Sequence, residues 1–319
     1  MKRLERKLLG NTDLIVSKLC FGSLTMGPLQ TNKTPEEGGK LLLHGFERGI
    51  NFIDTAELYE TYAHINNALK SWDRDDIVIA SKSYSYSKKT AEESLSKALK
   101  EMNIDYIDIF MLHEQESEHT LRGHYEALEY FFKMKEKGYI KAIGVSTHTV
   151  AAVKASLNIK EIEVLHPIVN IAGLGIQDGT IDEMLDALDQ AHKQGKGIYG
   201  MKPLGGGNLL KNFDQCFDFV LGLSCLHSIA VGMQTIEEID GNVAVFQGEK
   251  IEEELLKRIQ SKKRSLKIDF WCERCGKCIT SCSHGALKIQ DDMLVVDQQK
   301  CVLCGYCSKS CPNFCIKVI

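Results

Sequence analysis

Nine of the chain's 12 cysteines fall between positions 272 and 315 of 319, and eight of these spell one motif twice. The motif is C-x2-C-x2-C-x3-C, first as Cys272, Cys275, Cys278 and Cys282, then as Cys301, Cys304, Cys307 and Cys311 with Pro312 behind it. Three thiolates spaced two residues apart can wrap three corners of an iron-sulfur cubane from one tight loop, while a fourth, a helical turn further on, points elsewhere. A disulfide framework belongs to small exported proteins, and the start of this chain has basic residues but no apolar stretch behind them, because Gly10, Asn11, Thr12 and Asp13 interrupt at once. That start implies a cytoplasmic protein, where clustered cysteines bind metal. Structural zinc is the competing reading, and it favours two separated cysteine pairs over triplets followed by a single residue. Cys315 is left over as a small buried hydrophobe.

The last 50 or so residues resemble the bacterial two-cluster ferredoxins. The resemblance implies two 4Fe-4S clusters, one held by Cys272, Cys275, Cys278 and Cys311 and the other by Cys301, Cys304, Cys307 and Cys282. Ser283 stands where that family places a second proline. Clusters of this kind are destroyed by air, so an anaerobic or microaerobic host is expected.

The elements that must position any further chemistry lie upstream. With 44% hydrophobic and 26% charged residues and a formal charge of −4, the chain can bury a core and has no basic field to attract nucleic acid or an anionic membrane. No run of about 18 apolar residues is present to span a bilayer. Short β-rich runs recur at 17–21, 51–54, 77–81, 107–112, 140–145, 164–169, 197–201 and 228–231, with amphipathic stretches such as 90–102, 121–137 and 181–194 between them. Eight strand-helix units predict a (β/α)8 TIM barrel, and the absence of a G-x-G-x-x-G after the first strand argues against an open doubly wound sheet. The expected division is an α/β barrel over 1–265 and a small α+β ferredoxin-like domain over 266–319. Between them, 249–264 reads as a solvated helix, acidic early and basic late.

In such a barrel the chemistry sits at the C-terminal ends of the strands. There the sequence offers Asp54 and Tyr59 after the second strand, Lys82 after the third and His113 after the fourth. Each alone has a plain structural role, as a cap, a solvated strand end or a satisfied loop histidine. Together they form an acid, a phenol, an amine and an imidazole around one mouth.

Residues 6–245 resemble the aldo-keto reductase superfamily, through Leu9 to Gly22, Gly49 to Ala56 and Gly144 to Ser146. The resemblance implies a catalytic tetrad of Asp54, Tyr59, Lys82 and His113. In that scheme a charged Lys82, held by Asp54, draws the Tyr59 phenol from about 10 toward the working range, and His113 orients the substrate carbonyl. It also implies contacts to a nicotinamide cofactor at Ser146, Thr147, His166 and Met201, with adenine at Asn242. The glycines Gly205 and Gly206 would let backbone approach a pyrophosphate. Met201 replaces the family's stacking aromatic, and Gly232 and Glu238 fall where a Lys and an Arg grip the 2′-phosphate. The expectation is therefore no preference for NADPH over NADH, with NAD(P)H, a flavin or no dinucleotide left open.

Hydride transfer moves two electrons and each cluster passes one. The first reading is an oxidoreductase coupling carbonyl or alcohol chemistry on a small molecule to electron transfer through two clusters, with a redox partner protein at the other end. The alternatives are an electron-transfer or redox-sensing protein with a non-catalytic barrel scaffold, and an ordinary NAD(P)H reductase whose clusters are structural.

Overall fold

The computed structural model describes residues 4–319. A short antiparallel hairpin, β1 (Arg6–Leu8) and β2 (Ile15–Ser17), precedes the barrel strands β3 (Leu19–Gly22), β4 (Phe52–Asp54), β5 (Val78–Ser83), β6 (Ile107–Leu112), β7 (Ile140–Thr147), β8 (Val164–Pro167), β9 (Gly197–Met201) and β10 (Ser228–Gly232). The eight close in sequence order, all parallel, with β10 pairing back onto β3. The expected barrel is what forms.

Helices α1 (Pro35–Glu47), α2 (Tyr62–Leu69), α3 (Lys88–Met102), α4 (Glu118–Gly123), α5 (Tyr125–Glu136), α6 (Val150–Ser156), α7 (Ile181–Lys193), α8 (Phe213–Gly222) and α9 (Ile236–Phe246) surround it. The stretch predicted as one helix over 121–137 is two, broken at Gly123 and His124. Gly123 weakens the helix interior, and the His124 ring nitrogen lies 2.6 Å from the Thr120 carbonyl that the helix would otherwise use alone.

Two apolar layers result from the strand period of two. Phe52, Ala80, Ile109, Met111, Ala142, Val164 and Tyr199 fill the barrel lumen, and Leu9, Leu14 and Val16 from the hairpin close its lower end. The alternate residues, among them Ile53, Ile79, Phe110, Ile143, Leu165 and Ile198, pack outward on the helices. Two residues beyond Phe52, Ala80 and Met111 come Asp54, Lys82 and His113. Parity alone therefore aims all three inward at the upper rim.

After α9 the chain forms α10 (Glu253–Ser261), shorter than the predicted 249–264 helix. Lys262 leaves it in an extended conformation, and Lys262 and Arg264 turn to the barrel instead of to solvent. Beyond lie β11 (Leu266–Ile268), α11 (Lys277–Thr280), β12 (Leu287–Gln290), β13 (Met293–Val296), α12 (Tyr306–Lys309) and β14 (Ile316–Val318). They form two antiparallel two-stranded sheets, β11 with β14 and β12 with β13.

This small body rests on the barrel through its last strand. Val318 donates its N–H to the Gly206 carbonyl at 3.0 Å, and the Asn208 amide donates to the Ile316 carbonyl at 3.0 Å. Gly207 is left-handed at φ +84°, and a Cβ there would lie 2.2 Å from the Val318 carbonyl oxygen. The glycine run thus accommodates β14 at close range. Gly207→Ala should destabilise the docked state by about 1–3 kcal/mol through strain and clash. Thermal melting, with protease nicking of 247–265, checks this; an unchanged melt with no new nicking would show that the contact contributes little.

Candidate active site and cluster pockets

The inward parity of β4 and β5 brings Asp54 and Lys82 together at the barrel mouth, both almost fully buried. The Lys82 ammonium donates to both Asp54 oxygens, at 2.8 and 2.6 Å, and to the Thr55 carbonyl at 2.7 Å. The buried ammonium thus has three acceptors, two of them on one carboxylate. The Lys82 nitrogen also sits 5.0 Å above the centre of the Tyr59 ring, and that ring meets His113 edge-on at 5.7 Å. The four residues predicted from three neighbouring strand ends are therefore in one cluster.

Their electrostatics differ from the sequence expectation in one respect. Lys82 does not draw the Tyr59 phenol down; burial, followed by the negative charges of Asp54 and Glu114, holds it well above its usual range. The reason is geometric, because the lysine's charge is neutralised by the two oxygens it grips. Burial, with Lys82 and Lys202 nearby, pushes the His113 imidazole well below its usual value. At neutral pH the pair is a protonated phenol beside a neutral imidazole. His113 Nδ1 is buried without a hydrogen-bond partner.

Several contributors carried no sequence motif. Tyr199, in the lumen, donates its hydroxyl to Asp54 at 2.8 Å, so the carboxylate is held by a phenol as well as by the amine. Tyr199 stacks on His166 at 3.9 Å, and the His166 ring lies 3.5 Å from Asp54. Burial lowers His166 to about 4, which leaves it neutral. Tyr84 stacks on His113 at 4.5 Å and donates to Glu114 at 2.6 Å. Tyr199 shares the inward parity of Met201, and that was the available signal for it.

A cavity of about 1130 Å³ opens beside the cluster, lined at one end by Asp54, Tyr59, His166 and Met201 and at the other by Glu238 and Asn242. Gly206 lies on its wall beneath Lys317. Ser146 and Thr147 are fully buried and already engaged, Ser146 accepting from the Glu114 N–H and Thr147 hydrogen-bonding Thr149. Gly205, left-handed at φ +57°, packs on Leu174 and Leu209. None of these three is among the residues that line the cavity. Asn242 donates to the Glu238 carbonyl and keeps its buried Oδ1 unpartnered.

Glu238 is not the free anion that its position suggested. One oxygen accepts from the Gln234 N–H at 2.8 Å, and the other faces Arg264 at 3.1 Å and Lys262 at 3.4 Å. Residues arriving from the interdomain segment thus neutralise it at this end of the cavity.

In the small body, Cys272, Cys275, Cys278 and Cys311 ring one pocket, and Cys282, Cys301, Cys304 and Cys307 ring the other. The fourth cysteine of each motif crosses to the opposite set. Each loop carries the same left-handed pair, Arg274 with Gly276 and Leu303 with Gly305, a backbone form whose successive N–H groups gather around anions such as sulfide. Cys315 is buried, as expected of a small hydrophobe, and also lies with its sulfur 3.3 Å from that of Cys311. Among the described residues no three His, Cys, Asp or Glu side chains group as a single-ion site. Four motif thiols around each pocket suit a cubane, and Cys315 lines the first pocket as a fifth.

Residues 18–220 match the model of the Aldo/keto reductase family. The chain belongs to that family. Residues 294–317 match the 4Fe-4S binding domain, so this aldo/keto reductase carries an iron-sulfur motif after its barrel. It is similar to the Bacillus subtilis oxidoreductase YqkF, 23% identical over 303 residues, spanning 81% of this chain and 96% of that protein. Methylglyoxal reductase DkgA of Escherichia coli is 27% identical over 165 residues, 49% of this chain and 59% of that one. Aldo-keto reductase AKR11C1 from Bacillus halodurans, in its holo form, shares the fold, with a TM-score of 0.66 and 21% identity over 81% of this chain and 96% of that one. The protein is an oxidoreductase. No helix among its described residues is long and apolar enough to cross a membrane.

Proposed function

We propose that this aldo/keto reductase reduces small-molecule carbonyls, or oxidises the corresponding alcohols, and exchanges the electrons through two 4Fe-4S clusters with a redox partner protein. The observation that carries this reading is the buried Asp54–Lys82 ion pair under the Tyr59 ring, with His113 at its edge, beside a cavity of about 1130 Å³. Tyr59 provides the proton to the carbonyl oxygen, and the raised phenol keeps that proton in place until a developing alkoxide takes it. His113, neutral, donates one hydrogen bond that positions the same oxygen. Asp54, held from three sides, keeps Lys82 and through it the Tyr59 ring in place.

Asn242 Oδ1, an unpaired acceptor on the cavity wall, suits the amino group of adenine. Met201 forms the wall at the nicotinamide end without an aromatic face. When bound, a nicotinamide supplies the hydride and the two clusters supply single electrons. A flavin in the same cavity is the other two-electron group that could join them.

The test is anaerobic titration of the full chain with NADH, NADPH and FMN, followed by single turnover with a panel of aldehydes and ketones. With Glu238 already holding Arg264 and Lys262, we expect NADH to bind at least as tightly as NADPH. Micromolar NADPH binding with clear discrimination against NADH would overturn the cofactor assignment. Binding of a dinucleotide with no carbonyl reduced would overturn the catalytic one and favour a sensing role.

A further inference from the structure

Lysines that the tetrad does not use line the barrel-mouth cavity, and two of them, Lys202 and Lys317, come one from each part of the chain and meet at one ring. Lys202 follows β9 in a left-handed conformation, φ +58°, which is uncommon for a residue with a side chain and gathers at functional sites. Lys317 lies in β14 and is buried. Phe314 sits between them, its ring centre 5.4 Å from the Lys202 nitrogen and 3.3 Å from that of Lys317. Lys202 donates to the His148 ring at 2.8 Å, and Lys317 to the Phe314 carbonyl.

Both hydrogen-bond partners are neutral. Glu114 and Asp269 are the carboxylates that face this pair, and Asp54 beyond them is bound to Lys82 and Tyr199. Glu114 approaches His148 at 3.9 Å and takes the Tyr84 hydroxyl. Among the described residues, no carboxylate lies within salt-bridge distance of either lysine. Asp269 and the Cys311 and Cys315 sulfurs are the acidic groups near Lys317, and no carboxylate pairs directly with either amine, so an anion seated between the two would be favoured.

We infer that the Lys202–Lys317 pair is an anion-binding site selecting carbonyl substrates that carry a carboxylate. This rests on the reductase reading above, because the pair lies on the same cavity as Tyr59. A carboxylate seated here places the rest of a short oxo acid toward Tyr59 and His113. It also makes the substrate pocket a joint product of barrel and cluster domain. Burial and Lys202 bring the Lys317 amine down to about 7, and a bound carboxylate would raise it again.

The pyrophosphate of a dinucleotide offers the same oxygen chemistry, so the test separates the two. Full-length, cluster-loaded protein is titrated calorimetrically with pyruvate and with methyl pyruvate, which keeps the keto-acyl skeleton but adds a methyl and carries no charge, with and without saturating NADH. Pyruvate should bind at least about 30-fold more tightly than its ester, the size of a charge-assisted contact. In Lys202→Met and Lys317→Met the ratio of kcat/KM for pyruvate over methyl pyruvate should fall by about tenfold or more, with Lys202→Arg restoring most of it. Equal binding of acid and ester by the native protein overturns the proposal and needs no variant to fold. An unchanged ratio with NADH affinity lost instead assigns the lysines to the pyrophosphate and also overturns it. If pyruvate binds selectively but no carbonyl is ever reduced, the anion site stands and the reductase reading fails.

Discussion

Tyr59→Phe should lower carbonyl reduction by about 100-fold or more, the usual loss for a missing general acid, while leaving the melting curve and iron content as they were. The substitution removes one oxygen from a ring that Lys82 supports through its face and His113 through its edge, so packing is kept. The pH dependence adds an independent signature. Reduction needs the phenol protonated, and burial and Asp54 hold that proton well above pH 10. The alkaline limb should therefore lie above the usual tyrosine range. His113 acts neutral, and its depressed value moves the acid limb below the usual histidine range. The native rate should be flat from about pH 6.5 to 10, the interval between the two ordinary values. A variant keeping more than about a tenth of native turnover, against the loss expected of a general acid, would remove Tyr59 from the mechanism.

The second large effect concerns the crossed cysteines. Anaerobically reconstituted native protein should hold about eight iron and eight sulfide per chain, with a band near ~400 nm that dithionite bleaches, as two cubanes require. Changing Cys301 and Cys304 together to Ala should halve the iron and leave one cluster's electron paramagnetic resonance signal. The decisive comparison is Cys282→Ala. It sits in the first motif, yet it lines the pocket of Cys301, Cys304 and Cys307, so its loss should perturb the cluster that the double variant removes. A perturbed signal from the other cluster would refute the crossing, and tightly bound zinc in place of iron would refute both clusters.

Much of this is legible in the sequence, for identifiable reasons. Asp54, Lys82 and His113 end apolar runs with a period of two, so sequence alone located them on the rim and on one face. The cysteine spacing is local, within a turn or two, and local geometry survives any tertiary arrangement. What was not legible depended on partners far apart in the chain. Tyr199 reaches Asp54 from 145 residues away. Gly205 to Gly207 looked like a cradle for phosphate because nothing in their neighbourhood announces β14, more than 100 residues later. Glu238 looked like an unbalanced charge because its cations, Lys262 and Arg264, sat in what read as a solvated helix. The Tyr59 acidity was misjudged for a related reason, since a lysine's influence depends on what else it already holds.

The Glu238 clamp and the Gly207–Val318 contact together bear on whether this protein can be divided. Cut at 265, the barrel would lose the Lys317 wall of its cavity and uncover the glycine bed on which β14 lies. The detached tail would keep eight ligands but lose Asn208 as the neighbour of Gly305. Neither piece would be a faithful miniature of its share of the whole. Transplanting the tail onto another barrel of this family would carry over a wire without its socket, unless the recipient also offered small residues after its seventh barrel strand and a carboxylate to receive the incoming cations.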